Sequence, residues 1–178
     1  MPNHIINNVK ISGNAEDVKK CFETIVKPLE VEDYEGNVSV ETRFSFEHII
    51  PMPKSLSNDK DLYYWCIENW GTKWDAYGVH CEYGGGSELG LFFQTAWSTP
   101  KPIFDKLAEM FPELTITIDF ADENWGSNCG TITYENGKMT SWVDEDINFA
   151  MGLWGYSPEE IKEKVQEWEE WEKENEED

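Results

Sequence analysis

The sequence is short of basic residues. Its 178 residues include 14 Lys and Arg against 36 Asp and Glu, so the formal net charge is −22. Because proteins bind nucleic acid and anionic membranes mainly by placing Lys and Arg against phosphate, this balance argues against both as direct partners. The same negative field attracts basic proteins and speeds their encounter with the chain. Solubility alone is the alternative explanation of the charge.

Long apolar runs and closely spaced cysteines are also missing. No stretch is apolar over the roughly 18 residues that a membrane span needs, and the N-terminal MPNHIINNVK lacks the apolar core of a signal peptide. The cysteines lie at least fifteen residues apart and form no CxxC motif. They are Cys21, Cys66, Cys81 and Cys129. We therefore expect a cytoplasmic protein whose thiols are reduced and buried.

Histidines are too few to suggest a metal centre. His80 and Cys81, together with Cys66 and Cys129, form the only candidate set. Neighbouring residues of a strand point to opposite faces, so His80 and Cys81 do not easily share one ion. A calcium loop starting at Asp122 would place Gly126 at its fifth position, where an oxygen ligand is needed. The sequence therefore predicts no metal and no other cofactor.

Motifs for catalysis are absent as well. The run Gly84–Ser87 has neither the GK[ST] ending of a phosphate loop nor the GxSxG frame of a nucleophile elbow. With 36 carboxylates, chance proximity is common, so a pair such as Asp122 and Glu123 does not by itself indicate acid–base chemistry. We expect a protein without enzymatic activity and keep an enzyme as the alternative.

Apolar periodicity predicts an α+β domain. The predicted strands are 4–11, 40–48, 74–82, 89–97, 114–120, 131–134 and 138–143, and the predicted helices are 15–27, 61–70, 100–111, 146–154 and 157–174. An acidic loop is expected over 30–38, and Thr99 is expected to cap the third helix. Two strand–helix–strand units predict an antiparallel sheet with helices on one face, interrupted by an inserted helix and hairpin.

The predicted domain occupies residues 1–156, with the insertion at about 50–88. Residues 157–178 are expected to form an acidic C-terminal helix that ends in a frayed tail. Ser157 and Glu160 have the spacing of a capping box, which marks where this helix begins.

Five segments carry a family resemblance. They are PNHIINNVKISG, FSFEHIIPMP, NWGTKWDA, FQTAWSTP followed by PIFDKLAEMFPEL, and ADENWGSNCG. Their order and spacing resemble the YubB-like proteins of plasmids, phages and other mobile elements. The resemblance covers about residues 2–135 and implies a ferredoxin-like fold and a mobile-element origin. It brings no catalytic residues, and it leaves out the acidic helix 157–174.

One segment rich in Trp is the main candidate for a binding site. The candidate residues are Asn69, Trp70, Gly71, Thr72, Lys73, Trp74, Asp75 and Trp97. The structural interpretation, which the sequence favours, makes them a helix cap, a turn and core anchors. If Trp97 lies near Trp70 and Trp74, the three rings would offer an aromatic patch to a partner.

The leading hypothesis is a non-enzymatic acidic protein of a mobile element that engages a basic host protein, with imitation of the charge of DNA as one means. The alternative is an enzyme or small-ligand-binding protein with a Trp-lined pocket near Trp70, Trp74, Trp97 and Asp122. A third hypothesis makes the C-terminal helix a docking or dimerisation element through its apolar stripe Ile161–Val165–Trp168. The oligomeric state stays open.

Overall fold

A computed structural model describes residues 2–32, 35–56 and 58–175 of the chain. The described strands are β1 His4–Ser12, β2 Val26–Glu32, β3 Val38–Phe44, β4 Tyr77–Glu82, β5 Glu88–Ala96, β6 Thr115–Asp122, β7 Cys129–Glu135 and β8 Lys138–Asp144. The described helices are α1 Ala15–Ile25, α2 Asp59–Asn69, α3 Lys101–Met110, α4 Ile147–Leu153 and α5 Pro158–Asn175. The end of the expected frayed tail, 176–178, lies outside the described residues.

Six strands form one antiparallel sheet in the order β4-β5-β1-β6-β7-β8. β1 lies inside it, paired with β5 from His4↔Ala96 to Ser12↔Glu88 and with β6 on its other side. β2 and β3 pair separately as a small second sheet. The α+β class and the antiparallel sheet predicted from periodicity are confirmed.

The two faces of β1 explain where the helices pack. Ile5, Val9 and Ile11 point to one face and join the main core with apolar residues of α1 and α3, as the alternation predicted. Ile6 points to the other face and packs in a smaller cluster with Ala150 of α4. The helices therefore do not all lie on one face, because α4 covers part of the opposite one.

The expected acidic loop over 30–38 is wrong at residues 30–32, which belong to β2, and at Val38, where β3 begins. Val26–Glu32 forms β2, which pairs with β3 from Val26↔Phe44 to Glu32↔Val38. Pro28 and the acidic residues hid the strand, yet a proline is tolerated in a strand that lies at a sheet edge. α1 consequently ends at Ile25 rather than at residue 27.

The predicted ends of two helices had different outcomes. Pro100, rather than Thr99, occupies the cap position of α3, and the buried Thr99 hydroxyl has no hydrogen-bond partner among the described residues. The capping box of α5 is confirmed, since Glu160 N donates to Ser157 Oγ and Ser157 N donates to Glu160 Oε2 at 2.8 Å. Within the described residues, no helix has the length and apolar content that crossing a bilayer requires.

Candidate functional site

Two of the candidate residues belong to the framework of the fold. Trp70 is buried, and its indole Nε1 donates to the Ile50 carbonyl at 2.9 Å. Thr72 is also buried, and its hydroxyl bridges the backbone of Ala96 by donating to the carbonyl at 2.8 Å and accepting from the amide at 3.1 Å. Because both side chains are enclosed, they fix the segment in place and do not face a ligand.

Asp75 is another framework residue. Its carboxylate accepts hydrogen bonds from Arg43 Nη2 at 3.2 Å, from the Ser45 hydroxyl at 2.7 Å and from the Phe46 amide at 2.8 Å. The Arg43 guanidinium is also its ion-pair partner. Asp75 thus ties β3 to the loop that precedes β4.

Asn69 and Gly71 close α2. The Asn69 side-chain amide donates to the Trp65 carbonyl, one helical turn earlier, at 2.9 Å. Gly71 follows with φ of 76°, and a Cβ there would lie 2.7 Å from Pro102 Cδ. Glycine is therefore required both by the backbone and by the space.

The remaining candidates meet at the surface. Lys73 Nζ lies 4.7 Å from the centroid of the Trp74 ring and 5.2 Å from that of Trp97. The two tryptophans are 39% and 42% exposed. Tyr63 contacts Trp97 edge-on at 6.2 Å, and Tyr77 contacts Trp74 at 6.4 Å. We call these five residues the Trp97 patch.

The backbone of Trp97 holds its ring in this position. Its φ is 72°, in the left-handed region that bulky residues rarely adopt. The Trp97 amide donates to the Asn3 carbonyl at 2.9 Å, and the Trp97 carbonyl accepts from Asn128 Nδ2 at 3.1 Å. Such strain persists only where surrounding bonds enforce it, and it is concentrated at functional sites.

The bonds that enforce it converge on Asp122. Its buried carboxylate accepts from Asn3 Nδ2 at 3.2 Å, from the Asn124 amide at 2.8 Å and from Asn128 Nδ2 at 3.1 Å. Its carbonyl accepts from Trp154 Nε1 at 3.0 Å. The pocket proposed near Trp70, Trp74, Trp97 and Asp122 is not a single cavity, because Trp70 is buried and the Asp122 carboxylate is already engaged.

Carboxylates flank the Trp97 patch. Asp59 and Asp61 lie in the first turn of α2, and Asp59 is one helical turn before Tyr63. On the other side Glu123 accepts from the His4 amide at 3.0 Å, while the His4 ring contacts Tyr77 at 5.6 Å. Carboxylates therefore occur beside Tyr63 and Tyr77, and the basic Lys60 lies between Asp59 and Asp61 in the same turn of α2.

A second acidic surface lies on the uncovered part of the sheet. A groove of about 450 Å³ runs over β4, β5, β1 and β6, where Gly90 leaves space between Glu82, Glu88 and Asp119. Lys10 pairs with Glu88 at 2.7 Å, and the Thr131 hydroxyl donates to Asp119 at 2.7 Å. The negative charge is therefore spread over the domain and is not confined to α5.

A second aromatic cluster was missed in the sequence. Glu123, Trp125, Trp154 and Tyr156 line a cavity of about 310 Å³ beside α5. Lys164 of α5 places its Nζ 5.6 Å from the ring centroids of both Trp125 and Tyr156. We call the four lining residues the Trp125 cage. The only sequence signal was the density of aromatics in two turn regions about thirty residues apart.

The apolar stripe of α5 is partly covered within the chain. Ile161 and Val165 are half-buried and line a groove of about 560 Å³ next to Asn148 of α4, whereas Trp168 is 48% exposed. Docking or dimerisation through this stripe stays a prediction. An oligomeric state unchanged by truncation before Ser157 would contradict the dimerisation version.

The cysteines are poorly suited to nucleophilic chemistry. Burial raises the pKa of the Cys21 thiol to about 12 and that of Cys66 to about 11, and it raises the pKa values of Cys81 and Cys129 as well. The reactive thiolate is therefore scarce at neutral pH. Within the described residues, no three His, Cys, Asp or Glu side chains are grouped as metal ligands.

The antiparallel sheet with α1 and α3 on one face defines a ferredoxin-like α+β domain, as predicted. The chain belongs to the family described as the ferredoxin-like domain in Api92-like protein, whose model matches residues 69–176. That match includes α5, which the resemblance found in the sequence leaves out. The crystal structure of the protein api92 from Yersinia pseudotuberculosis is similar, with a TM-score of 0.61 over 82% of this chain and 98% of that chain. At 10% identity the similarity concerns the fold alone. No curated protein matches the chain.

Proposed function

We propose that this chain is a non-enzymatic binding protein that contacts a basic protein through the Trp97 patch. The observation that carries the proposal is the pair of half-exposed Trp74 and Trp97 rings on either side of the Lys73 ammonium. Tryptophan offers a large, stiff contact surface and is enriched among the residues that dominate binding energy. A ring held by an enforced backbone loses little further freedom when a partner binds.

The charge of the surroundings supports a basic partner. Asp59 precedes Tyr63 by one helical turn, Glu123 lies near Tyr77, and the whole chain carries a net charge of −22. Cationic side chains at the edge of the contact would be attracted and would associate quickly, whereas an acidic partner would be repelled. The carboxylates of Asp75 and Asp122 take no part, since structural hydrogen bonds occupy both.

The mobile-element origin and the imitation of DNA belong to this proposal. The resemblance to YubB-like proteins supports a partner in the host of a plasmid or phage. Imitation of DNA charge requires that the chain and duplex DNA compete for one surface of the partner. Displacement of the bound partner by duplex DNA therefore separates this version from simple charge attraction.

Affinity capture followed by titration tests the proposal. The immobilised chain is exposed to host lysate at about 50 mM and about 500 mM salt, because screening weakens surface electrostatics. A captured basic protein is then purified and titrated against the wild-type chain, Trp97→Ala and Trp142→Ala. Trp142 is a matched control, since it is 43% exposed and lies on β8, outside the patch.

We expect salt-sensitive capture and a hot-spot effect at the patch. Trp97→Ala should weaken partner binding by about 30-fold, which is the effect of a typical hot-spot residue. The affinity of Trp142→Ala should stay within about twofold of wild type, as expected of a residue outside the hot spot. Capture that contains no basic protein, or equal losses for the two variants, would reject the proposal.

A further inference from the structure

The Trp125 cage has the geometry of a cation site. The Trp125 and Tyr156 rings are 5.0 Å apart between centroids and stand at 83° to each other, so they form two walls of one corner. Trp154 adds a third ring and Glu123 adds a carboxylate to the cavity of about 310 Å³. Aromatic faces carry negative potential, and a corner of such faces attracts an ammonium group.

The cage walls are fixed by the fold. The Trp154 indole donates to the Asp122 carbonyl at 3.0 Å. Trp154 is also the C-cap residue of α4, and its backbone amide donates to the Ala150 carbonyl at 3.1 Å. Glu123 accepts from the His4 amide at 3.0 Å, which orients its carboxylate. Trp125 belongs to the turn between β6 and β7, where Asn124 donates to Asp122 at 2.8 Å. The rings therefore do not depend on a ligand for their placement.

An ammonium from the same chain already lies against the cage. Lys164 Nζ is 5.6 Å from the Trp125 centroid and 5.6 Å from the Tyr156 centroid. Among the described residues, no carboxylate lies within ion-pair distance of this ammonium, although Glu160 acts on it over a longer range. Two aromatic faces are thus its closest partners, as expected of a cation in an aromatic cage.

We propose that the Trp125 cage binds a methylated ammonium group and that the Lys164 ammonium, which faces two of its rings, competes with that ligand. A methylated ammonium is hydrated less strongly than a primary ammonium. It therefore loses less hydration free energy when it enters a cage of aromatic rings. At 5.6 Å, Lys164 is near the outer limit of a cation–π contact, which leaves the cavity to a better-fitting cation. The ligand is either a free quaternary amine or a methylated lysine of a protein, and the second source rests on the binding function proposed above.

Calorimetric titration with small probes tests the cage without any protein partner. The probes are choline and its uncharged analogue 3,3-dimethylbutan-1-ol, which has the same shape. We expect choline to bind at least about tenfold more tightly than the uncharged analogue, because a desolvated cation–π contact has about that strength. Trp125→Ala should abolish choline binding, and Trp125→Phe, which keeps a ring, should restore part of it if the fold is intact.

Lys164→Gln tests whether the Lys164 ammonium competes with the ligand. Removal of the competing ammonium should tighten choline binding by about fivefold, as expected when one exposed cation–π contact no longer competes. Lys162→Gln is the matched control, because it removes the same charge from the same helix but faces the groove beside Asn148. This control should leave choline binding unchanged.

The outcomes separate this inference from the proposed function. Equal affinity for choline and the uncharged analogue, no choline binding by any variant, or the same effect of Lys164→Gln and Lys162→Gln would overturn the cage. Trp97→Ala should leave choline binding intact, so loss of the partner and loss of the cage are distinguishable. A trimethyllysine peptide distinguishes the two sources of the ligand. If it binds more tightly than both choline and its own unmethylated form, the ligand is a methylated lysine of a protein. If choline binds more tightly than the peptide, the ligand is a free amine.

Discussion

The Asn128 side-chain amide joins Trp97 to Asp122. Its Nδ2 donates to the Trp97 carbonyl at 3.1 Å and to Asp122 Oδ2 at 3.1 Å. Asp122 in turn accepts through its carbonyl from the Trp154 indole. One short network therefore holds a ring of the Trp97 patch and a wall of the Trp125 cage, and changes in the network should affect both surfaces.

Asn128→Ala should destabilise the chain and loosen Trp97. Loss of the two hydrogen bonds, together with an alanine at φ of 53°, should lower the free energy of unfolding by about 2–3 kcal/mol. Asn136→Ala is the control, since Asn136 also has φ of 53° but lies in the β7–β8 turn. Urea unfolding should show a loss of about 1 kcal/mol for this control, and an equal loss in both variants would contradict the role of the amide.

Asp122→Asn should weaken both binding surfaces. The change replaces one acceptor oxygen by a donor that faces hydrogens from Asn3, Asn124 and Asn128, so at least one bond is lost. We expect the free energy of unfolding to fall by about 2 kcal/mol. Binding of both the basic partner and choline should weaken. Unchanged binding by calorimetry would show that the network does not position the rings.

The cap of α4 should carry a pH dependence. Hydrogen bonds from the Phe149 amide and the Asn148 side chain lower the pKa of Asp146 below its usual 3.8. A lowered pKa in the folded state means that the stabilisation is present above pH 3.8 and is lost as the pH falls below that value. The Asp146→Asn variant keeps a capping side chain but has no charge to lose. The stability of this variant relative to wild type should therefore rise as the pH falls from 7 to 3.

Asp146→Ala supplies the second half of that test. Loss of the cap should cost about 1 kcal/mol at pH 7 and should weaken choline binding, because Trp154 of the cage is the C-cap residue of α4. Urea unfolding at both pH values measures the effect. A stability difference between Asp146→Asn and wild type that is constant with pH would contradict the assignment of the pKa shift to the cap.

Cysteine labelling should report unfolding rather than surface exposure. With pKa values of about 12 and about 11, Cys21 and Cys66 are almost entirely thiols at pH 8. Iodoacetamide should therefore modify them only as fast as the chain opens, and the rate should rise with urea. Rapid labelling of Cys21 in the native protein, detected by mass spectrometry, would contradict its burial.

Much of the fold follows from local pattern. The alternation in β1 and β6 and the capping box of α5 each depend on neighbouring residues, and each was predicted correctly. β2 was not, because Pro28 and alternating acidic residues conceal a strand that only its pairing with β3 stabilises.

The candidate site was predictable only in part. Trp74 and Trp97 both lie three residues beyond the pair Tyr77↔Gln94, so the predicted β4–β5 hairpin already indicates that they lie close together. The Trp125 cage was not, because it joins the β6–β7 turn to the end of α4 through packing on the second face of the sheet. No periodicity in the sequence encodes that contact.

The central claim is that a basic partner contacts the Trp97 patch. Its most direct test is an NMR titration that follows the indole N–H signals of the tryptophans in the ¹⁵N-labelled chain as the captured basic protein is added. We predict that the Trp74 and Trp97 signals shift or broaden first and that their shifts diminish at high salt, while the Trp142 signal stays in place. Shifts at Trp142 with Trp74 and Trp97 unchanged would contradict the account.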